Sequence, residues 1–405
     1  MYRATGVIGL LLCAATVSAQ QGVLTEDAAI RIGLSRSAVD LRTEGEVRQA
    51  QGELLGARTW PNPELSYERE SLNNAEDVVE HRLQLSQRFD VAGRRALQIE
   101  AADRQLEAAQ YGTRAWRAEL KQQIRERYFT ALYQQQRRAA YERIRDDIRL
   151  LGNTLDRRRR EGDVVLYDFQ RVKSERAALA AEVSETDVAF ESAWQRLRAL
   201  LGEEAQGYDA LTGELVPEQA IPQARLADAL EAHPKLRYLQ TQVDAYGLQR
   251  RAESRTLPDV TIGLGLRRDD TSRGTDNGLV LSASTQLPVF DRRQAGQARS
   301  HAREMLARSE YALARDAAMA DLKRLWTQVT HYRDSAREFR GNAVQAAGEL
   351  IEVAQAYYRA GEIGILELLD AYRGALEAEL TALELEYKAR LAHIELDYLT
   401  GGAEQ

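Results

Sequence analysis

Two carboxylates three residues apart, Glu367 and Asp370, follow a glycine-centred break in the stretch YYRAGEIGILELLDAYR, residues 357 to 373. That spacing puts them on one helix face, where they concentrate negative charge. Taken alone they also read as ordinary solvated acids. Arg160, Gly162, Asp163 and Asp168 in REGDVVLYDF echo the same pattern, with Gly162 standing 199 residues before Gly361. Little else has spacing suited to chemistry: no Ser, His and Asp arrangement, no Gly-rich phosphate loop and no zinc spacing occurs. The five histidines, at 81, 233, 301, 331 and 393, are scattered. His393 and Asp397 lie one helical turn apart and read as a surface pair rather than a metal site. The chain reads as a non-enzyme that takes no cofactor and holds no metal of its own.

Composition narrows the class. A chain of 405 residues, 44% hydrophobic and 29% charged, can build a large fold but is too polar for several membrane-spanning helices. The one long apolar run, GVIGLLLCAATVSA, follows Arg3 and ends in Val17-Ser18-Ala19, the small-residue pattern at which signal peptidase cuts. Residues 1–19 therefore read as an export signal. The single cysteine, Cys13, lies inside it, so the exported chain has no thiol. Leu12 stands where a lipoprotein signal needs a small residue, which argues against a lipid anchor on Cys13. A net charge of -7 with no sustained basic stripe argues against nucleic acid. The one dense basic patch, Arg157 to Arg160, reads as a solvated helix face.

The echo at 199 residues recurs. RALLGE and DYLTGG, SQRFDVAGRR and TQLPVFDRRQ, and ARTWPNPELSYE and SRTLPDVTIGLG fall at nearly the same offset and in the same order. The chain reads as two structural repeats, 20–202 and 226–402, joined by a Gly- and Pro-containing link at 203–225. Residues 64–216 and 289–405 contain no proline and are rich in Ala, Leu, Glu, Arg and Gln. Residues 94–158 are expected to run as one helix of roughly 95 Å at 1.5 Å per residue. After Gly361, apolar residues from Ile365 to Tyr398 recur about every 3.7 positions, which suits a nearly straight stave rather than a left-handed coiled coil. An ordinary core-facing helix fits the same spacing.

Each repeat also contains a segment where the apolar period drops to two. In 64–89, Leu65, Tyr67, Leu83 and Leu85 alternate with polar residues; in 259–287, Val260, Ile262, Leu264, Leu279 and Leu281 do so. These read as two hairpins, each with one oily and one wet face, with SLNNAEDVVE and RDDTSRGTDN as polar loops at their tips. Strands of about ten residues with an oily outer face suit a membrane-spanning barrel, since lipid cannot satisfy an open sheet edge. Four strands cannot close one; three chains would give twelve strands. A four-stranded sheet packed on a helix is the alternative for a soluble fold.

With the export signal, both hairpins and both glycine breaks in view, the chain resembles the TolC family of outer-membrane efflux proteins. The motifs that carry the resemblance are Arg160, Gly162, Asp163, Asp168, then Arg359, Gly361, Glu362, Glu367, Asp370, and the strand entries Pro61 and Pro258. PNPELSYE and FDVAGRRALQIEAA look more like the CzcC-like branch that serves heavy-metal pumps. The resemblance implies a mainly α fold with a transmembrane β-barrel: a homotrimer whose 12-stranded barrel crosses the outer membrane and continues as a helical tunnel through the periplasm. It also implies a periplasmic adaptor and an inner-membrane resistance-nodulation-division pump as partners, with outer-membrane lipid around Leu65, Tyr67, Leu83, Leu85, Val260, Ile262, Leu264, Leu279 and Leu281.

By the same resemblance, Arg160, Gly162, Asp163, Arg359, Gly361 and Glu362 form the tip turns and adaptor contact. Asp163 and Glu362 are expected in the first turn of each returning helix, where acids suit the positive helix end. Glu367 and Asp370, repeated threefold, would form acidic rings at the constriction, with Asp168 and Tyr358 linking neighbouring helix pairs. Ile363 and Tyr167 depart from the family pattern, so the gate is expected to be wired differently. Drug or solvent efflux and a type I secretion duct use the same fold, and a soluble periplasmic helical scaffold is the rival of another class.

Overall fold

The computed structural model describes residues 22–72, 78–161, 166–218 and 226–401. The export signal, and Gly162 and Asp163 at the first tip, lie outside the described residues. The rest divides into two compact units, one built from residues up to 36, 124–216 and 335–387, the other from 37–123, 217–334 and 388 onward.

The first unit is helical. Its core joins the C-terminal half of α3 (Arg94–Glu161), α4 (Leu166–Leu201), α8 (Gln345–Ala360) and α9 (Ile365–Leu399). Ile144, Ile148, Leu155, Val172, Leu179, Ile365, Leu368, Leu369 and Tyr372 are buried together there. α3 runs unbroken for 68 residues, about 100 Å at 1.5 Å per residue, because nothing in it interrupts a run of strong helix formers. Between α7 (Gln294–Phe339) and α8 the helix widens into a π turn over Arg340–Val344. Arg340 there reaches α9, where its guanidinium meets Glu379 (3.3 Å) and Glu386. Such wide turns arise where one extra residue is accommodated within a helix.

This unit also holds a two-stranded parallel sheet. β1 (Gly22–Leu24) pairs with β4 (Tyr208–Leu211), so the stretch read as a plain link carries a 3-10 turn at Glu203–Gly207 and then a strand. Tyr128, on α3 and fully buried, ties the pair down: its hydroxyl donates to the Leu24 carbonyl at 2.8 Å and lies against that of Thr212. α1 (Glu26–Leu34) starts directly after β1, with Thr25 accepting from the Ala28 amide and Glu26 and Asp27 at its positive end.

The second unit carries the sheet β2-β3-β5-β6: β2 (Glu64–Leu72), β3 (Val78–Phe89), β5 (Val260–Thr271) and β6 (Gly274–Thr285). All its pairs are antiparallel, and β2 and β6 are its open edges. α2 (Ser37–Arg58) leads into β2, α3 leaves β3, α6 (Pro234–Glu253) leads into β5 and α7 leaves β6. α5 (Leu226–Glu231), α7 and α9 share a small apolar core of Leu226, Leu322, Leu325, Val329 and Leu396.

RDDTSRGTDN, read above as a loop, is strand for most of its length. β5 and β6 run on to Thr271 and Gly274 and close through two residues, with Thr271 Oγ1 accepting from the Arg273 amide and donating to the Gly274 carbonyl. Salt-bridged charges on the wet face let the ladder continue beyond the oily segment.

Candidate functional site

Two surfaces carry the candidate residues, one in each unit. On the sheet, cross-strand pairing gathers the oily residues into rows. Leu65, Leu85, Leu264 and Leu281 oppose one another in succession across all four strands, and Tyr67, Leu83, Leu266 and Leu279 form the adjacent outward row. These eight side chains are between 45% and 80% exposed. Ile262 is exposed on the same face and Val260 is half-buried. A face of large apolar side chains left bare in rows requires an apolar surrounding. Among the described residues no helix is long and apolar enough to cross a membrane.

The opposite face is polar and tight. Gly263 and Gly265 are buried in β5; a Cβ on Gly265 would lie 2.7 Å from the Leu83 carbonyl, so only glycine fits. Next to the glycines comes a row of Glu68, Arg82, Arg267 and Gly278, then one of Glu70, Glu80, Asp269 and Asp276. Arg82 bonds Glu80 (2.7 Å) and Arg267 bonds both Glu80 (3.0 Å) and Asp269 (2.9 Å), a ladder of ion pairs across β3 and β5. Glu80, Asp269 and Asp276 escaped the sequence reading because they lay in segments read as loops. Their signal was opposite charge two residues apart on one strand face, Glu80 with Arg82 and Arg267 with Asp269.

In the helical unit the glycine break is a Schellman turn. Gly361 has φ +78°, its amide bonds the Tyr358 carbonyl (3.2 Å), and the Glu362 amide bonds that of Tyr357 (2.9 Å). α9 then begins only at Ile365. Glu362 thus belongs to the turn and not to the first turn of the returning helix, contrary to the expectation above. The turn consumes Gly361 and Glu362, and Ile363 and Gly364 carry the chain to the helix start. Glu367 is the first-turn acid instead, its carboxylate folded back over Gly364. Asp163, the counterpart expectation, lies outside the described residues.

Glu367 and Asp370 share the exposed face of α9, opposite buried Ile365, Leu368, Leu369 and Tyr372. One turn on, Arg373 makes a two-toothed pair with buried Glu175 of α4, Nε to Oε1 at 2.9 Å. That pair, with Asp370 nearby, holds the Arg373 guanidinium further above its usual range. Tyr358 is half-buried, and burial raises its phenol; the Arg158 charge opposes that rise and the Asp168 charge adds to it. Arg359 donates to Gln355 (3.3 Å), which donates to the Tyr372 hydroxyl (2.9 Å). Arg160 is exposed and folds onto the Asp156 carbonyl (3.2 Å). The structure aligns Glu367 with Asp370 on one exposed face of α9; the Arg373–Glu175 clasp was not foreseen. Among the described residues no three of His, Cys, Asp or Glu converge as a metal cage.

Residues 226–402 match the family described as outer membrane efflux protein. The cobalt-zinc-cadmium resistance protein CzcC of Cupriavidus metallidurans is 26% identical over 386 residues, which is 94% of this chain and 90% of that protein. The nickel-cobalt-cadmium resistance protein NccC of Alcaligenes xylosoxydans xylosoxydans is 26% identical over 260 residues, 62% of this chain and 57% of that one. The outer-membrane channel OprN superposes with a TM-score of 0.78 at 19% identity, covering 93% of this chain and 90% of that chain. A sheet with one bare oily face, helices of up to 68 residues and these likenesses point the same way: residues 226–402 match the outer membrane efflux protein family, and the chain has the fold of solved outer-membrane channels.

Proposed function

We propose that the chain is the outer-membrane duct of a tripartite system exporting divalent metal cations, fed by an inner-membrane resistance-nodulation-division pump through a periplasmic adaptor. The observation that carries the duct reading is the sheet: eight large apolar side chains in two exposed rows above a polar, ion-paired reverse face, with both edges open. Three copies placed edge to edge complete twelve strands, with lipid outside and water within. The likeness to two metal-resistance proteins along most of this chain, in the case of CzcC, favours metal cations as cargo.

In this reading the turns at Gly162 and Gly361 form the periplasmic mouth and meet the adaptor with Arg160, Asp163, Arg359 and Glu362. Glu367 and Asp370, exposed on one face of α9, supply two rings of three carboxylates that attract cations at the constriction. Tyr358, Asp168 and Arg158 hold adjacent helices at that mouth. The test is conductance in planar bilayers together with zinc, cobalt and cadmium tolerance in cells lacking the chain. Glu367→Gln with Asp370→Asn is expected to raise conductance and lower cation preference. Wild-type selectivity in that variant would remove the two acids from the constriction, and tolerance unaffected by loss of the chain would remove metal as the cargo.

A further inference from the structure

Beyond the row of Tyr67, Leu83, Leu266 and Leu279, the outward face of the sheet changes character in one step. The next row toward the hairpin tips, about 7 Å on along each strand, is Arg69, His81, Arg268 and Asn277, opposed in that order across β2, β3, β5 and β6. Directly opposite side chains on adjacent strands have Cβ atoms only about 5 Å apart, and like charges so placed repel. Two arginines flanking a histidine therefore call for an anion that the row itself does not contain.

The chain supplies only part of it. The following outward row, Ser71, Val79, Asp270 and Thr275, holds one acid. Arg268 gives its Nε to both oxygens of Asp270 (3.0 and 3.2 Å), and Thr275 Oγ1 donates to the same carboxylate (2.6 Å). Among the described residues the terminal nitrogens of Arg268 bond nothing and no acid pairs with Arg69, which is exposed. His81 is held by Tyr67, hydroxyl to Nδ1 at 2.8 Å with the two rings stacked, and its Nε2 lies 3.8 Å from Asp270. The row is thus a fixed platform of donors with spare capacity.

The row at the opposite margin of the oily face, Phe89, Val260 and Thr285, contains no basic group. Within the sheet, basic donors therefore line one margin of the lipid-facing surface and not the other. In the duct reading the helices leave from the Phe89 margin into the periplasm and the tips point away from the cell. That sets the basic row among the headgroups of the outer leaflet. We infer that Arg69 and Arg268, with His81 between them, bind the phosphate groups of an anionic outer-leaflet lipid whose chains lie along the leucine rows below. Guanidinium forks match phosphate oxygens in pairs. Charge on a lipid-facing strand costs almost nothing at the interface, so the row is tolerated there and would not be at the level of Leu264.

This inference rests on the duct reading, and the test separates the two. The parent trimer is compared with Arg69→Gln with Arg268→Gln, with Arg69→Lys with Arg268→Lys, and with Arg88→Gln, which removes a charge from the wet face. Each is purified in mild detergent and titrated with diphosphorylated lipid A, with its dephosphorylated form and with inorganic phosphate. Binding is read by native mass spectrometry and by the temperature at which the trimer band collapses. Diphosphorylated lipid A is expected to bind the parent and Arg88→Gln alike and to raise that temperature. The double glutamine variant is expected to bind it about a hundredfold more weakly, at about tenfold per arginine, and the double lysine variant to fall between. Equal affinity in the parent and the glutamine variant would overturn the proposal. So would a parent that takes the dephosphorylated lipid as well as the phosphorylated one, a comparison that stands even where the glutamine variant does not assemble. Equal stabilisation of the parent by inorganic phosphate would overturn the lipid as the source of the anion. A parent chain that forms no trimer in outer-membrane fractions would overturn the duct reading itself.

Discussion

The same apolar side chains serve opposite ends in the two units. On α9, Ile365, Leu369 and Tyr372 are 3%, 2% and 4% exposed, enclosed by α3, α4 and α8 of their own chain. On the sheet, leucines of the same size stand bare on four successive strands. The helical unit buries its apolar stripe by itself, whereas the sheet leaves its apolar face to whatever surrounds it. Burial of apolar area stabilises both, but only in the first is the partner surface encoded in the same molecule.

That contrast is breakable. Arginine at Leu264 and Leu281, neighbours in one outward row, is expected to cost about 2–4 kcal/mol at each position near a bilayer midplane and to abolish the heat-sensitive trimer in outer-membrane fractions. A trimer of normal yield would show that the rows do not face lipid. Leu369→Ala, in the helical core, is expected to cost about 3 kcal/mol. Urea unfolding followed by far-ultraviolet circular dichroism should move to lower midpoint while insertion of the sheet is spared; equal damage to both would erase the distinction between the units.

A smaller effect sharpens the helical side. Burial pushes the Tyr128 phenol up to about 12 from 10.0, since the charged phenolate is the form that loses its hydration in the core, and Glu26 and Asp27 add to the rise. The folded state thus holds this proton more tightly than the unfolded one. Its contribution is complete below pH 10 and is lost as pH rises from 10 to 12, by at most about 1.4 kcal/mol per pH unit. Tyr128→Phe should cost about 1–3 kcal/mol at neutral pH, by leaving carbonyls without a donor, and should flatten the alkaline loss of stability. An alkaline slope identical to the parent's would assign it to other tyrosines. The smallest effect is expected at the turn: Gly361→Ala, forced into φ +78°, should cost about 1 kcal/mol, read by the same urea titration.

Much of this architecture was legible because it is local. The absence of proline and the helix-forming composition announced a helix over 94–158, and the chain forms one over Arg94–Glu161. Alternation at Leu65, Tyr67, Leu83 and Leu85 announced strands, since side chains on a strand change face at every residue. Long-range pairing left no such trace. β1 and β4 are three and four residues long and meet across 186 or 187 positions, Gly22 to Tyr208 and Leu24 to Leu211, so no periodicity develops in either. The turn at 271–274 was read as a loop because charge was taken for solvent exposure, when Arg267, Glu80 and Asp269 satisfy one another across a ladder. At the candidate mouth the types and spacing of Glu367 and Asp370 were visible, but the Arg373–Glu175 clasp was not, because its partners are 198 residues apart.

The wide turn at Arg340–Val344 sets the angular phase of everything between it and Gly361. A π turn takes in one more residue than an α turn over the same rotation, so the side chains beyond it keep the faces that an unbroken α-helix one residue shorter would give them. Deleting one residue within 340–344 would let the segment close into an ordinary α-helix while α8 keeps the face it presents to its neighbours. The rod can therefore gain or lose a single codon at this point without changing which residues meet at this end of the molecule.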